Sequence, residues 1–260
     1  MKSVRDTLAP FLRVLKPLCD FLQGIPRVYN LQITRELIRG CVGKPDPTIL
    51  EIGCNDGTST RWFLEIFERP EVYCFEPDPR AVARFNRKVG QHPNIHLYEI
   101  AISDRNGETT FYQSGGQRSK TETETMPEGW DLSGSIRKPK NHLVVHPWVT
   151  FDRAITVKTM TLDTWCNEHG IETIDFIWMD VQGAEMDVIR GGPDALTRTR
   201  FVYTEYSNSE LYEGQATLRR LLKRLGNFKI VVRYPGDVLL RNQKSEFAPD
   251  NNTLRRLLVD

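Results

Sequence analysis

Ile49-Leu50-Glu51-Ile52-Gly53-Cys54-Asn55-Asp56-Gly57 is an apolar run that ends in a tight polar turn. Residues 48–53 read as a buried strand, and residues 58–68 read as a helix that follows at once. Gly53 and Gly57 let the backbone turn sharply and approach a ligand closely. The free N–H groups of the helix start suit a carboxylate or another polar group. The glycine spacing is G-x-x-x-G, which departs from the G-x-G-x-x-G of dinucleotide-binding turns. Taken alone, the turn supports only a ligand-binding junction between strand and helix.

Working outward, the alternation repeats. Residues 71–76, Glu-Val-Tyr-Cys-Phe-Glu, read as a second strand. Asp78 then caps a helix with Val82, Phe85 and Val89 on one face. Residues 95–102 read as a third strand. This β-α-β-α-β order predicts a parallel sheet with right-handed crossovers. Residues 107–113 form an added strand after the turn Asp104-Arg105-Asn106-Gly107. From about 114 to 150 the chain is rich in Gly, Ser, Thr, Lys and Pro and loses periodicity. A stretch this long is functional or disordered, and it is read as an insertion over the active-site end of the sheet. Patterning resumes with a strand at 155–160, a short helix after Thr161-Leu162-Asp163, and a strongly apolar strand at 173–180. A helix at 184–190 stops at Gly191-Gly192-Pro193. A strand at 201–206 and an amphipathic helix at 215–225 follow. Strands at 228–233 and 238–241 join through Pro235-Gly236 as an antiparallel hairpin.

Residues 1–46 are read as an N-terminal helical cap on a main domain of 47–260. Leu8, Phe11, Leu12, Leu15 and Leu18 recur at helical spacing, while Arg5, Asp6, Arg13, Lys16 and Asp20 interrupt every apolar stretch. Those stretches are too short for a signal segment or a membrane span. A homodimer contact and a membrane-surface helix are the sharper readings of the same segment. Lys plus Arg is 35 and Asp plus Glu is 34, a net charge of +1, which argues against a nucleic-acid partner. The five cysteines are odd in number and form no C-x-x-C pattern, so neither a disulfide framework nor a zinc site is expected. A reducing, cytoplasmic compartment is the simplest reading.

Three strand ends carry the chemistry. Glu76 ends the second strand about 20 residues past the glycine turn, where an acidic side chain accepts hydrogen bonds from ribose hydroxyls. Pro77 fixes the exit from that strand. Ala101 and Ile102 end the third strand and offer a small apolar surface to an adenine ring. In open α/β sheets, ligands bind at these carboxyl ends.

Together these blocks resemble the FkbM family of class I methyltransferases. The resemblance covers 49 to about 206. It rests on Glu-x-Gly-x-Asn-x-Gly at 51–57, Phe-Glu-Pro-Asp-Pro at 75–79, Ala-Ile-Ser-Asp at 101–104, Thr161-Leu162-Asp163, and Ile-Asp-Phe-Ile-Trp-Met-Asp-Val-Gln-Gly-Ala-Glu at 174–185. It implies a Rossmann-like α/β fold, with a seven-stranded, mostly parallel sheet in the order 3-2-1-4-5-7-6 and helices on both faces. It also implies S-adenosyl-L-methionine as cofactor and methyl transfer to a hydroxyl, often of a sugar in a glycan or glycosylated metabolite. The cofactor set expected from the motifs and strand ends is Glu51, Gly53, Asn55, Asp56, Gly57, Thr60, Glu76, Pro77, Ala101, Ile102, Asp180 and Gln182. Two positions depart from the family pattern. Trp178 stands where Lys is usual, and Gln182 where Glu is usual; Gln182 can form hydrogen bonds but cannot act as a base.

Asp180 ends the fourth strand and is the first candidate for catalysis; Glu205 ends the fifth. The pair can bind a divalent ion through oxygen ligands. Alternatively it holds sugar hydroxyls, with one carboxylate as general base. Asp175 begins the fourth strand and is expected to be remote, while Glu185 is expected to support the loop. His146, with His142 nearby in the insertion, is a further candidate base. Trp130, Trp148 and Tyr206 are candidates to stack on sugar faces. Arg118, Lys120, Arg137, Lys138 and Lys140 make the insertion basic, which hints at a phosphorylated, acidic or nucleotide-linked substrate. Two competing readings remain: a methyltransferase-like glycan-binding protein without catalysis, and an NAD-dependent oxidoreductase, which the glycine spacing disfavours.

Overall fold

The computed structural model describes residues 32–117 and 129–245. Its elements in chain order are α1 (Arg35–Val42), β1 (Thr48–Ile52), α2 (Thr58–Ile66), β2 (Glu71–Phe75), α3 (Pro79–Lys88), β3 (Ile95–Tyr98), β4 (Ala101–Ser103), β5 (Gly107–Gly116) and α4 (His142–Val145). They continue with β6 (Val149–Thr161), α5 (Leu162–Glu168), β7 (Ile174–Met179), α6 (Glu185–Arg190), α7 (Pro193–Thr197), β8 (Thr199–Glu205), α8 (Leu218–Leu225), β9 (Phe228–Arg233) and β10 (Asp237–Asn242).

The main sheet has seven strands in the order β3-β2-β1-β7-β8-β10-β9. Counted within this sheet alone, that is 3-2-1-4-5-7-6, the order the family resemblance implies. β1 pairs parallel with β2 and β7, and β7 pairs parallel with β8. β10 is antiparallel to both β8 and β9, as the Pro235-Gly236 turn predicts. The chain therefore presents an α/β, Rossmann-like fold.

Alternating side chains feed two cores on the two faces of the sheet. Leu50, Ile52, Ile177 and Met179 join Trp165, Ile189 and Leu221 on one face. Ile49, Phe176 and Trp178 join Phe63, Phe85 and Phe201 on the other. α1 lays Leu37, Ile38 and Cys41 into this second core. The Thr34 hydroxyl caps it by accepting from the Leu37 N–H at 3.2 Å. This is the described end of the expected N-terminal cap. The rest of the cap, with its dimer and membrane-surface readings, lies outside the described residues. Among the described residues, no helix is long and apolar enough to cross a membrane.

Three sequence expectations are corrected. The run 95–102 is not one strand. β3 leaves the main sheet after Tyr98, and β4 belongs to a separate sheet of order β4-β6-β5. There Ala101 aligns with Thr159, a partner distant in sequence that no local pattern announces. The insertion is also shorter than 114–150, because β5 extends to Gly116 and β6 begins at Val149. Finally, Pro193 starts a helix, α7, as well as ending the one before it; proline is suited to a first helical turn, where its missing N–H costs nothing.

Candidate active site

The carboxyl ends of β1, β2 and β7, together with β4 and the insertion, enclose a cavity of about 580 Å³. This size suits a small-molecule ligand. Of the expected residues, Gly53, Asn55, Glu76, Pro77, Ala101, Ile102, Asp180, Gln182, Glu205 and His146 line it. Glu51, Asp56, Gly57 and Thr60 do not. Glu51 is buried on the other side of β1, where the Thr60 hydroxyl donates to it at 2.5 Å, and so it ties β1 to α2. Asp56 accepts from the Thr58 hydroxyl at 2.6 Å and pairs with Lys88 at 2.9 Å, closing the turn from outside. Gly57 lies against Phe85 of α3 and Val89 just after it.

The turn itself is fastened to the second strand. The Asn55 N–H donates to Glu76 Oε2 at 2.9 Å, and the Asp78 N–H donates to Glu76 Oε1 at 2.8 Å. Asn55 has φ +44°, a left-handed conformation that asparagine tolerates better than most residues. Gly53 has φ +87°, and its backbone passes directly against the Asp180 carbonyl.

At the far end of the cavity, the Gln182 amide joins the two strand-end carboxylates. Its Nε2 donates to Asp180 Oδ1 at 2.7 Å and to Glu205 Oε2 at 3.0 Å. The Tyr212 hydroxyl lies 3.1 Å from Gln182 Oε1 and 2.8 Å from the Ser133 carbonyl, so its single proton serves both. Gln182 has φ +49°, an unusual conformation for a non-glycine residue; the Ser135 hydroxyl steadies it by donating to its carbonyl at 2.8 Å. Burial raises Asp180 above the usual carboxylate range. Burial, and then the charge of Asp180, raise Glu205 further. The two carboxylates therefore titrate as a pair that keeps a proton to higher pH than an isolated carboxylate does.

Asp175 starts β7 away from the cavity, as expected, paired with Arg200 at 2.8 Å and Lys44 at 2.7 Å. Glu185 supports the loop by accepting from the Gly183 N–H at 3.0 Å. Trp178, one of the two departures, packs between Trp62, Phe63 and Tyr203 on the opposite face. It does not reach the cavity, so this substitution changes packing rather than the site. The other, Gln182, lies at the site's centre.

Sequence reading missed Asp131. It is buried in the cavity wall and paired with Arg84, and its carboxylate oxygens accept no other hydrogen bond among the described residues. Phe111 and Ile136, which pack with Ala101 into a small apolar cluster, were missed as well. Trp130, Trp148 and His142 line the same cavity. Burial pushes His142 down to about 4, which keeps it neutral. The described basic residues of the insertion are already paired: Arg137 with Asp187, Lys140 with Glu210 at 2.6 Å and Lys138 with Glu213 at 3.9 Å. Arg118 and Lys120 lie outside the described residues.

Burial also lifts Glu51 and Glu76 to about 8 and Glu185 to about 7. In an unfolded chain a glutamate titrates near ~4.3. Between these values the folded protein holds protons that the unfolded chain has lost. The resulting stability is complete below the unfolded value and is lost as pH rises through the folded ones. Thermal unfolding followed by circular dichroism is expected to give a higher Tm at about pH 6 than at about pH 8.5. A higher Tm at the alkaline pH contradicts these assignments.

Residues 51–232 match the methyltransferase FkbM domain. The chain is 51% identical over 230 residues to the 2-O-methyltransferase NoeI of Sinorhizobium fredii, covering 86% of this chain and 91% of that protein. It is 27% identical over 214 residues to the AMB antimetabolite synthetase AmbE of Pseudomonas aeruginosa, covering 75% of this chain but 10% of that protein. Among solved structures, the N-methyltransferase NodS of Bradyrhizobium japonicum superposes with a TM-score of 0.44 at 13% identity, covering 80% of this chain and 92% of that one. The strand order, with acidic strand ends around one cavity, is the arrangement of class I methyltransferases. Within that class, the chain belongs to the FkbM methyltransferase family.

Proposed function

We propose that this methyltransferase carries a methyl group from S-adenosyl-L-methionine to a hydroxyl, most suitably a sugar hydroxyl. The observation that carries the reading is the shared cavity: Glu76 and Asp131 lie in the same enclosure as Asp180. Each Glu76 oxygen has accepted one backbone N–H and keeps capacity for another donor. Asp131 is paired with Arg84 through Oδ2 and keeps its buried Oδ1 without a donor among the described residues. Two such carboxylates fit the hydroxyls of a ribose, and Ala101, Ile102 and Phe111 fit an adenine face. When bound, the cofactor supplies a methyl group on a positively charged sulfur.

The protein's own work is positioning and proton removal. Holding acceptor and donor in line is worth up to ~7–11 kcal/mol in well-oriented cases. A correctly placed base adds ~10²–10⁴ in rate. Asp180 is assigned that role, with Gln182 fixing both it and Glu205. His146 lines the cavity as the alternative base. The relative at 51% identity is named as a 2-O-methyltransferase, which supports oxygen as the acceptor atom. The buried free cysteines Cys41, Cys54, Cys74 and Cys166 accord with a reducing, cytoplasmic setting.

The carboxylate pair does not fit a divalent ion. A hard cation takes oxygen ligands, and here an N–H donor sits between the two carboxylates. Among the described residues, no group of three or more His, Cys, Asp and Glu side chains gathers as a metal site. S-adenosylhomocysteine release across a panel of sugar acceptors, with and without chelator, tests the reading. Release that withstands chelator is expected. Tight cofactor binding with no release on any acceptor favours the non-catalytic binding protein, and release abolished by chelator restores a metal.

A further inference from the structure

A second cavity of about 330 Å³ opens beside the first. Gln182, Glu205 and Leu211 line both, so Glu205 borders the partition between them, with Asp180 on the side of the first cavity. The remaining wall comes from Gly183, from the segment Tyr206 to Asn208 after β8, from Tyr212 and Gln215, and from the Pro235-Gly236 turn of the antiparallel hairpin.

We propose that this second cavity seats the acceptor, a neutral, polyhydroxylated ring whose reacting hydroxyl meets the carboxylate pair at the shared wall. This rests on the methyl-donor reading of the first cavity. The wall's chemistry selects the ligand class. Gln215 Oε1 accepts the N–H groups of Leu211 and Tyr212, at 3.0 and 3.4 Å. That fixes the amide and leaves its Nε2 without a protein acceptor among the described residues. Asn208 is exposed and makes no hydrogen bond among them. These amides donate to hydroxyl oxygens, and Asn208 Oδ1 and Glu205 accept from hydroxyl hydrogens. Among the described residues, no lysine or arginine lines the cavity, and the insertion's described basic side chains are paired elsewhere. A phosphate or carboxylate in this space finds no countercharge among the lining residues, a costly arrangement. The neutral seat therefore opposes the expectation of an acidic acceptor drawn from the basic insertion.

In the transfer, the acceptor oxygen bonds to the methyl carbon as the carbon–sulfur bond breaks. The bonding electrons neutralise the sulfur, which leaves as the thioether of S-adenosylhomocysteine. The hydroxyl proton passes to Asp180.

Gly236 offers a steric test, because a side chain added there meets nothing within 4 Å. Binding of neutral methyl glycosides to the full chain is followed by ligand-observed NMR, with and without S-adenosylhomocysteine. The matching glycosyl phosphates and uronic acids are run in parallel, and S-adenosylhomocysteine affinity is measured by calorimetry. Wild type is expected to bind at least one neutral glycoside in preference to its charged counterparts. Gly236→Phe is expected to weaken that glycoside by about tenfold or more while S-adenosylhomocysteine affinity stays within about twofold. The retained cofactor affinity shows that the variant is folded. Asn208→Leu provides a second variant and is expected to weaken the same glycoside severalfold. Unchanged glycoside affinity in both variants overturns the proposal, as does tighter binding of the charged sugars or no binding of any neutral glycoside. Glycoside binding without S-adenosylhomocysteine binding removes the donor reading instead and leaves the sugar seat standing.

Discussion

Asp180→Asn is expected to lower kcat by about 10²–10⁴-fold while S-adenosylhomocysteine affinity stays within about threefold. The substitution keeps the side chain's size and its place at the end of β7, but it removes the carboxylate assigned as the base. The loss belongs to kcat because proton removal gains its importance in the transition state rather than in the ground state. Stability is expected to move the other way. Asp180 and Glu205 are buried side by side; burial raises the cost of ionising each, and the charge of Asp180 raises it further for Glu205. Removing one charge relieves that cost, so Tm holds or rises, as at other sites where function is kept at the expense of stability. Activity in the wild type is expected to climb with pH past the ordinary carboxylate range, since burial raises Asp180. Full turnover in Asp180→Asn would remove Asp180 as the base and pass the role to His146.

Gly53→Ala is expected to damage stability and activity together. At φ +87° an L side chain is strained, and its Cβ collides with the Asp180 carbonyl. The neighbouring hydrogen bonds leave little room to move: the Gly53 N–H donates to the Phe75 carbonyl at 2.9 Å, and the Asp180 N–H to the Ile52 carbonyl at 2.9 Å. The sheet must open between β1 and β7, where Asp180 is held. Backbone strain and overpacking each cost about 1–3 kcal/mol, so a loss of about 3 kcal/mol or more is expected in chemical denaturation. For a domain of this size that is a fall in Tm of about 6–12 °C. Gly236→Ala is the control, with its Cβ in open space, and should be neutral. A Gly53→Ala protein as stable as the control contradicts the close approach of the two strands.

The contrast between these residues shows what could be read from sequence. Gly53, Glu76 and Asp180 each end an apolar run, so their placement at successive strand ends follows from local periodicity and from the short turns after them. The Pro235-Gly236 hairpin is just as local. Other features depend on distant partners. β4 pairs with β6, and the bridge between Tyr112 and Ser135 folds the insertion back onto the second sheet. Nothing in a Gly- and Ser-rich stretch without periodicity points to either contact. Asp131 was invisible for the same reason: its burial is created by the insertion's descent onto Arg84. Glu51 and Thr60 carried the opposite error. They belong to a motif next to the cavity, but strand alternation turns Glu51 to the far face of β1, where it meets Thr60. The second cavity is formed by the loop after β7, the chain after β8 and the Pro235-Gly236 turn, which the sheet order brings together.

The central claim is that the first cavity holds a methyl donor through Glu76 rather than a dinucleotide. Titration calorimetry of S-adenosylhomocysteine and of NAD into the full chain, wild type and Glu76→Ala, tests it most directly. One S-adenosylhomocysteine site per chain, weaker NAD binding, and an affinity for S-adenosylhomocysteine reduced by about tenfold or more in Glu76→Ala are expected, as for the loss of a buried hydrogen-bond acceptor. Tighter binding of NAD, or an S-adenosylhomocysteine affinity that does not change when Glu76 is removed, contradicts it.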